Sequence, residues 1–183
     1  MYRFDEKSLT FVKIGCLVPA LKMSFYAVIA ILLLSLSLPS RKSFTESEVM
    51  IIVAKHNQFT EEKLTNVIQR MHFPFPYIVY AQALHETNYF KSSIFTENHN
   101  LFGMRSAVVR INTAKGTQNE HAYYDSWMES VYDYALYSAT YLSSLKTEEE
   151  YYSYLEQSYA EDSNYVNKIK SIVENDKLKS KFK

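Results

Sequence analysis

The chain has 183 residues, 47% of them hydrophobic, with 20 Lys and Arg against 20 Asp and Glu, a size that suits one domain plus an appendage. The balanced charge hides a division: residues 1–42 hold six basic and two acidic residues, leaving 14 and 18 downstream and a net charge of about −4. An acidic domain lacks the means to neutralise phosphates, which argues against nucleic acid as a partner, and the only cysteine, Cys16, leaves that domain without a disulfide, a thiolate nucleophile or a cysteine zinc ligand.

In chain order, residues 23–40 carry no charge and are flanked by Lys22 and by Arg41 and Lys42. Eighteen residues at helical rise cover roughly 27 Å, close to the width of a bilayer core. This segment is expected to be an uncleaved membrane anchor with the N-terminus in the cytoplasm, the alternative being a signal peptide that is cleaved and lost. In either case the domain from residue 43 to 183 lies outside the cytoplasm, anchored or secreted. Thr45 and Glu48 have capping-box spacing, predicting a helix to about Asn57. Thr60 is expected to cap a second helix to about Met71, which Phe73-Pro74-Phe75-Pro76 ends.

The pattern then predicts a helix from about Tyr77 to Lys91, with Ile78, Gln82, Glu86 and Tyr89 along one side. Residues 104–113, with Val108, Val109 and Ile111, read as the first arm of a β-hairpin. Ala114-Lys115-Gly116 reads as its turn and Glu120 to Tyr124 as its second arm. Ser126 with Glu129, and Thr147 with Glu150, predict capping boxes opening helices to about Leu145 and Tyr159. Asp162 or Ser163 caps a last helix to about Asn175, and the lysines at 177, 179, 181 and 183 read as a solvated basic tail. The fold class is therefore α-dominated (α+β), with one small hairpin; only three glycines in the chain agree with this.

Glu86 is the residue that carries chemistry. An acid on a mostly apolar helix is costly to bury ionised, so its pKa rises, as a general acid near neutral pH requires. Its bland alternative is a surface carboxylate paired with Lys91. His85-Glu86 invites a zinc reading, but the position four residues on is Tyr89, so no H-E-x-x-H motif exists. No metal and no organic cofactor are implied.

Four blocks occur in order: AQALHETNYFKS at 81–92, ENHNLFGMR at 97–105, YYDSWMESVYDY at 123–134 and YAEDSNY at 159–165. Together they resemble the glucosaminidase domain of glycoside hydrolase family 73, the bacterial cell-wall N-acetylglucosaminidases, over roughly residues 50–175. The resemblance implies a lysozyme-like fold in which the hairpin walls a sugar-binding groove facing Glu86. It implies an endo-β-N-acetylglucosaminidase whose partner is the glycan of peptidoglycan and whose general acid is Glu86. A muramidase or lytic transglycosylase on the same fold, or a wall-binding module that does not cut, are the alternatives.

Asn100, Phe102 and Gly103 match the family's N-x-F-G block. Asn100 either bonds the sugar acetamide or braces the loop, Phe102 belongs to the core or to a subsite, and Gly103 permits close backbone approach. By resemblance Tyr124, Tyr159 and Tyr165 face the groove, with the Tyr159 hydroxyl near the reacting sugar. The first hairpin arm lacks the glutamate that many members carry. Glu120 is the nearest substitute, followed by Asp125 and Glu97. Either a distant base activates water with inversion, or the substrate's acetamido oxygen assists with retention.

Overall fold

The computed structural model describes residues 2–5, 10–13, 43–160 and 162–182. The apolar stretch 23–40 lies outside the described residues, among which no helix is long and apolar enough to cross a membrane. The chain divides into two compact units, residues 1–47 and 48–183. In the first, strands β1 (Tyr2–Asp5) and β2 (Thr10–Lys13) pair antiparallel, Tyr2 opposite Lys13.

Helix α1 (Glu46–Asn57) has no buried residue. The Lys63 ammonium gathers the carbonyls of Lys55, His56 and Gln58 at its C-terminal end, where the unpaired acceptors favour a cation. Helix α2 (Glu61–Arg70) starts where Thr60 Oγ1 accepts the Lys63 amide, and buries Leu64, Thr65 and Ile68. Helix α3 (Pro76–Glu86) has Pro76 in its first turn and an unbroken buried run from Ile78 to Leu84. A helix apolar all round belongs at the centre of a domain, and α3 packs against α2 and against α7 (Tyr165–Asn175) and α8 (Leu178–Lys181).

Between these lie α4 (Ser93–Asn98), the hairpin β3 (Gly116–Gln118) and β4 (His121–Tyr123), α5 (Trp127–Tyr141) and α6 (Glu148–Tyr154). Helix α6 runs on into a π-helical turn, Leu155–Tyr159. The core is rich in rings: Phe102 stacks on Tyr134 at 4.3 Å, and Phe59 meets Phe90, Phe95 and Trp127 within 5.5 Å. Aromatic pairs at these distances add to what burial alone contributes.

The mainly helical class with a small antiparallel sheet at β3–β4 agrees with expectation, the β1–β2 pair is additional to the one hairpin expected, and the Thr147–Glu150 capping box forms as its spacing predicts. Other details differ. The hairpin turns at Asn119-Glu120, both left-handed (φ 51° and 62°), so β3 begins at Gly116. This is the two-residue turn that matches strand twist. Residues 104–113 form no strand: Met104 O accepts from Ala122 N, but Tyr124 N on the same edge of β4 is taken by Asn98 O. Helix α3 stops at Glu86 rather than Lys91, leaving Tyr89 beyond its face. Ser93–Asn98, for which the sequence pattern predicts no element, coils into α4 behind the Ser92 cap.

Ser126 makes no side-chain cap; Glu129 instead reaches the Asp125 amide. Asn164 occupies the N-cap of α7, with Asp162 Oδ1 accepting its amide. The basic tail is docked: Lys179 pairs with Glu148, Lys181 donates to the Tyr80 hydroxyl, and Phe182 packs on the Tyr80 ring.

Candidate active site

Glu86 is the last residue of α3, and the residues after it decide where its carboxyl points. Thr87 turns its hydroxyl back onto the Ala83 carbonyl and accepts the Phe90 amide. Asn88, Tyr89 and Phe90 are all left-handed (φ 46°, 56° and 63°), a conformation costly for residues with a Cβ. The Tyr89 amide closing onto Leu84 O at 2.8 Å and the Ser92 amide onto Thr87 O hold them there. The chain thus swings away just past Glu86, whose side chain lines an open cleft of about 710 Å³.

Inside that cleft Glu86 Oε1 accepts a hydrogen bond from the Tyr165 hydroxyl at 2.8 Å. Lys91 is not its partner. Gly103 backs the other oxygen with φ +63°, and a Cβ at that position would stand 2.9 Å from Oε2. A glycine is therefore required on two counts, backbone conformation and space. Burial raises the Glu86 pKa above its ordinary 4.5, against the opposing pull of the Tyr165 hydrogen bond and the His121 charge. The result is a carboxyl that keeps its proton above the usual carboxylate range.

Tyr165 and Tyr159 line the same cleft, as do His85 and His121. The His85 ring lies edge-on to Tyr165 at 5.2 Å. Tyr159 spends its proton on the Phe102 carbonyl at 2.7 Å and so braces the peptide that carries Gly103 towards Glu86. Asn100 is fully buried. Its Nδ2 donates to Met104 O and Ala122 O, and its Oδ1 accepts from Phe102 N and Met104 N. All four of its bonding positions are used internally, so of the two roles expected it takes bracing. Phe102 is a core residue stacked on Tyr134.

Tyr124 is buried away from the cleft, its hydroxyl donating to Asp133 at 2.7 Å, which corrects its expected place in the groove. Asp133 also takes Arg110 in a buried ion pair that fastens the loop after Met104 onto α5. Glu120 stands exposed at the hairpin tip, Asp125 pairs with Lys115, and Glu97 is on the surface; none of the three lines the cleft. Asp162 does line it, with Lys168 on Oδ2 and the Asn164 amide on Oδ1. No cluster of three His, Cys, Asp or Glu among the described residues is placed to hold a metal.

Sequence reasoning missed His121 and the Arg110–Asp133 pair. Period-2 alternation could have found His121, since it and Tyr123 share a face of β4 opposite buried Ala122. Nothing local joins Arg110 to Asp133, 23 residues on.

Three comparisons bear on this site. Residues 61–178 match the glucosaminidase family, described as mannosyl-glycoprotein endo-β-N-acetylglucosaminidase. Among solved structures, the chain is similar to the catalytic domain of the autolysin Auto from Listeria monocytogenes at 20% identity and TM-score 0.47, over 76% of this chain and 99% of that one. No protein of curated function matches. With about two thirds of its length matched, and that stretch holding the cleft and its carboxyl, the chain belongs to the glucosaminidase family of glycoside hydrolases, the endo-β-N-acetylglucosaminidases.

Proposed function

We propose that the chain cleaves peptidoglycan glycan strands after N-acetylglucosamine, with Glu86 as general acid, and that it does so outside the cytoplasm, held at the membrane by residues 23–40. The observation that carries the chemistry is a carboxyl whose pKa burial raises, hydrogen-bonded by Tyr165 and facing an open cleft. A glycan strand lying in the cleft brings a glycosidic oxygen to Glu86. The carboxyl gives its proton to that oxygen as the bond to C1 breaks, and positive charge develops on the sugar ring.

The developing charge needs a nucleophile. Glu86 and Asp162 are the carboxylates lining the cleft among the described residues, and both Asp162 oxygens are engaged. That favours assistance by the substrate's own acetamido oxygen, with retention at C1 and water opening the cyclic intermediate. Glu86, now ionised, takes the proton of that water and is reset.

The test is digestion of purified sacculi by the full-length chain, following new N-acetylglucosamine reducing ends by mass spectrometry and their anomeric form by NMR. Glu86→Gln should lower the rate by about 10²- to 10⁴-fold, the range for a positioned acid. Undiminished release by that variant would overturn the assignment. Muramic acid ends in place of N-acetylglucosamine ends would move the cut to the neighbouring bond.

A further inference from the structure

Behind Glu86 a file of buried polar side chains runs into the core. Tyr134 donates to Gln82 Oε1 at 2.7 Å, and the Tyr134 and Tyr151 hydroxyls lie 3.0 Å apart. Gln82 Nε2 donates to the Tyr165 hydroxyl at 3.2 Å, and Tyr165 donates to Glu86 Oε1. Gln82, Tyr134 and Tyr151 are wholly enclosed and Tyr165 nearly so. We infer that Gln82 is a positioning residue that commits Tyr165 to donate to Glu86 Oε1 and thereby places the acid's proton on Oε2, the oxygen beside Gly103.

The direction follows from what each group can do. An amide oxygen only accepts and an amide nitrogen only donates, whereas a phenol has one proton. Tyr134 gives its proton to Gln82 Oε1, so Tyr151 must donate to Tyr134. Gln82 Nε2 takes a lone pair of Tyr165, whose proton then goes to Glu86. The opposite setting of the Gln82 amide would draw the Tyr165 proton to itself and leave a lone pair against the carboxyl. Each donor in such a chain polarises the next.

With Oε1 already accepting, the proton that Glu86 holds resides on Oε2. Tyr165 free to rotate would let Oε1 carry that proton inward, where no glycosidic oxygen can collect it. Gln82 lies one helical turn before Glu86 on α3, so the same backbone sets both ends of the link.

The inference rests on Glu86 as the acid, so Glu86→Gln is assayed beside it in the purified full-length chain on soluble glycan fragments. Gln82→Met keeps the shape but removes the amide. It should lower kcat roughly 3- to 10-fold, the net worth of about one hydrogen bond, with KM unchanged. The alkaline limb of its kcat–pH profile should move to higher pH, because a Tyr165 no longer committed stabilises the carboxylate less. Gln82→Glu, which offers Tyr165 an acceptor in place of a donor, should move that limb further.

A limb left in its wild-type place or moved down, with only the melting temperature lowered, overturns the inference while an inactive Glu86→Gln preserves the acid. An active Glu86→Gln overturns the acid itself. Should Gln82→Met fail to fold, Tyr151→Phe at the far end of the file should give a smaller upward move, and a fixed limb there counts equally against the inference.

Discussion

On the Glu86 side of the cleft, the polar side chains behind the carboxyl bond to one another within the core and sit on helices α3, α5, α6 and α7. On the side made by residues 105–110 there is no regular secondary structure, and Val108 and Val109 are 97% and 94% exposed. That side is fastened by one buried ion pair, Arg110 to Asp133, and by Thr113 reaching the Glu129 carbonyl. The contrast separates two requirements of a hydrolase. A proton must be placed to within a fraction of an ångström, which needs a rigid bonded frame. A long polymer must enter and leave, which an irregular wall with few anchors allows.

The firmest way to break the contrast is at the anchor. Arg110→Met leaves Asp133 buried with only the Tyr124 hydroxyl, and should cost about 3 kcal/mol in denaturant unfolding. If the loop side needs no anchor, the loss will stay within the range of a surface change. Next comes Gly103→Ala, which meets both the left-handed backbone and Glu86 Oε2. About 1–2 kcal/mol of stability should go with it, and kcat should fall more than KM rises, since the proposed acid is displaced rather than the polymer.

The third prediction concerns pH. The folded chain holds the Glu86 proton more tightly than the unfolded chain does. The stability this contributes is full below the ordinary 4.5 and is lost as pH rises through the folded value. Glu86→Gln should therefore melt higher than wild type near neutral pH, with the difference closing in acid; a difference that instead widened in acid would reverse the sign of the shift. The smallest effect sharpens the contrast from the loop side: Val108→Ser with Val109→Ser should leave the melting temperature unchanged and raise KM alone.

Much of this was legible where one residue type decides one local event. Thr60, and Thr147 with Glu150, mark helix starts because a hydroxyl accepting an amide needs only three residues of context. Glu86 stood out because it follows seven buried positions on an apolar helix. The end of α3 was not legible, since it depends on Tyr89 and Phe90 taking a backbone form that neither favours. The hairpin tip escaped because Glu120 stands where a glycine would announce the turn. Val108, Val109 and Ile111 read as a strand by composition, yet a strand exists only where an edge is free to receive it. Lys179 and Lys181 looked solvated until Glu148 and Tyr80, distant in sequence, came into reach.

The abrupt stop of α3 has one more consequence. A helix ends with carbonyl groups aimed outward, the negative pole of its dipole, which disfavours a nearby anion by about 0.3–1 kcal/mol. Glu86 is the residue at that pole, so the backbone is expected to add to the effect of burial on its proton. Lengthening the helix by one turn would carry the pole away and leave a carboxyl of more ordinary pKa, less often protonated, in the same place.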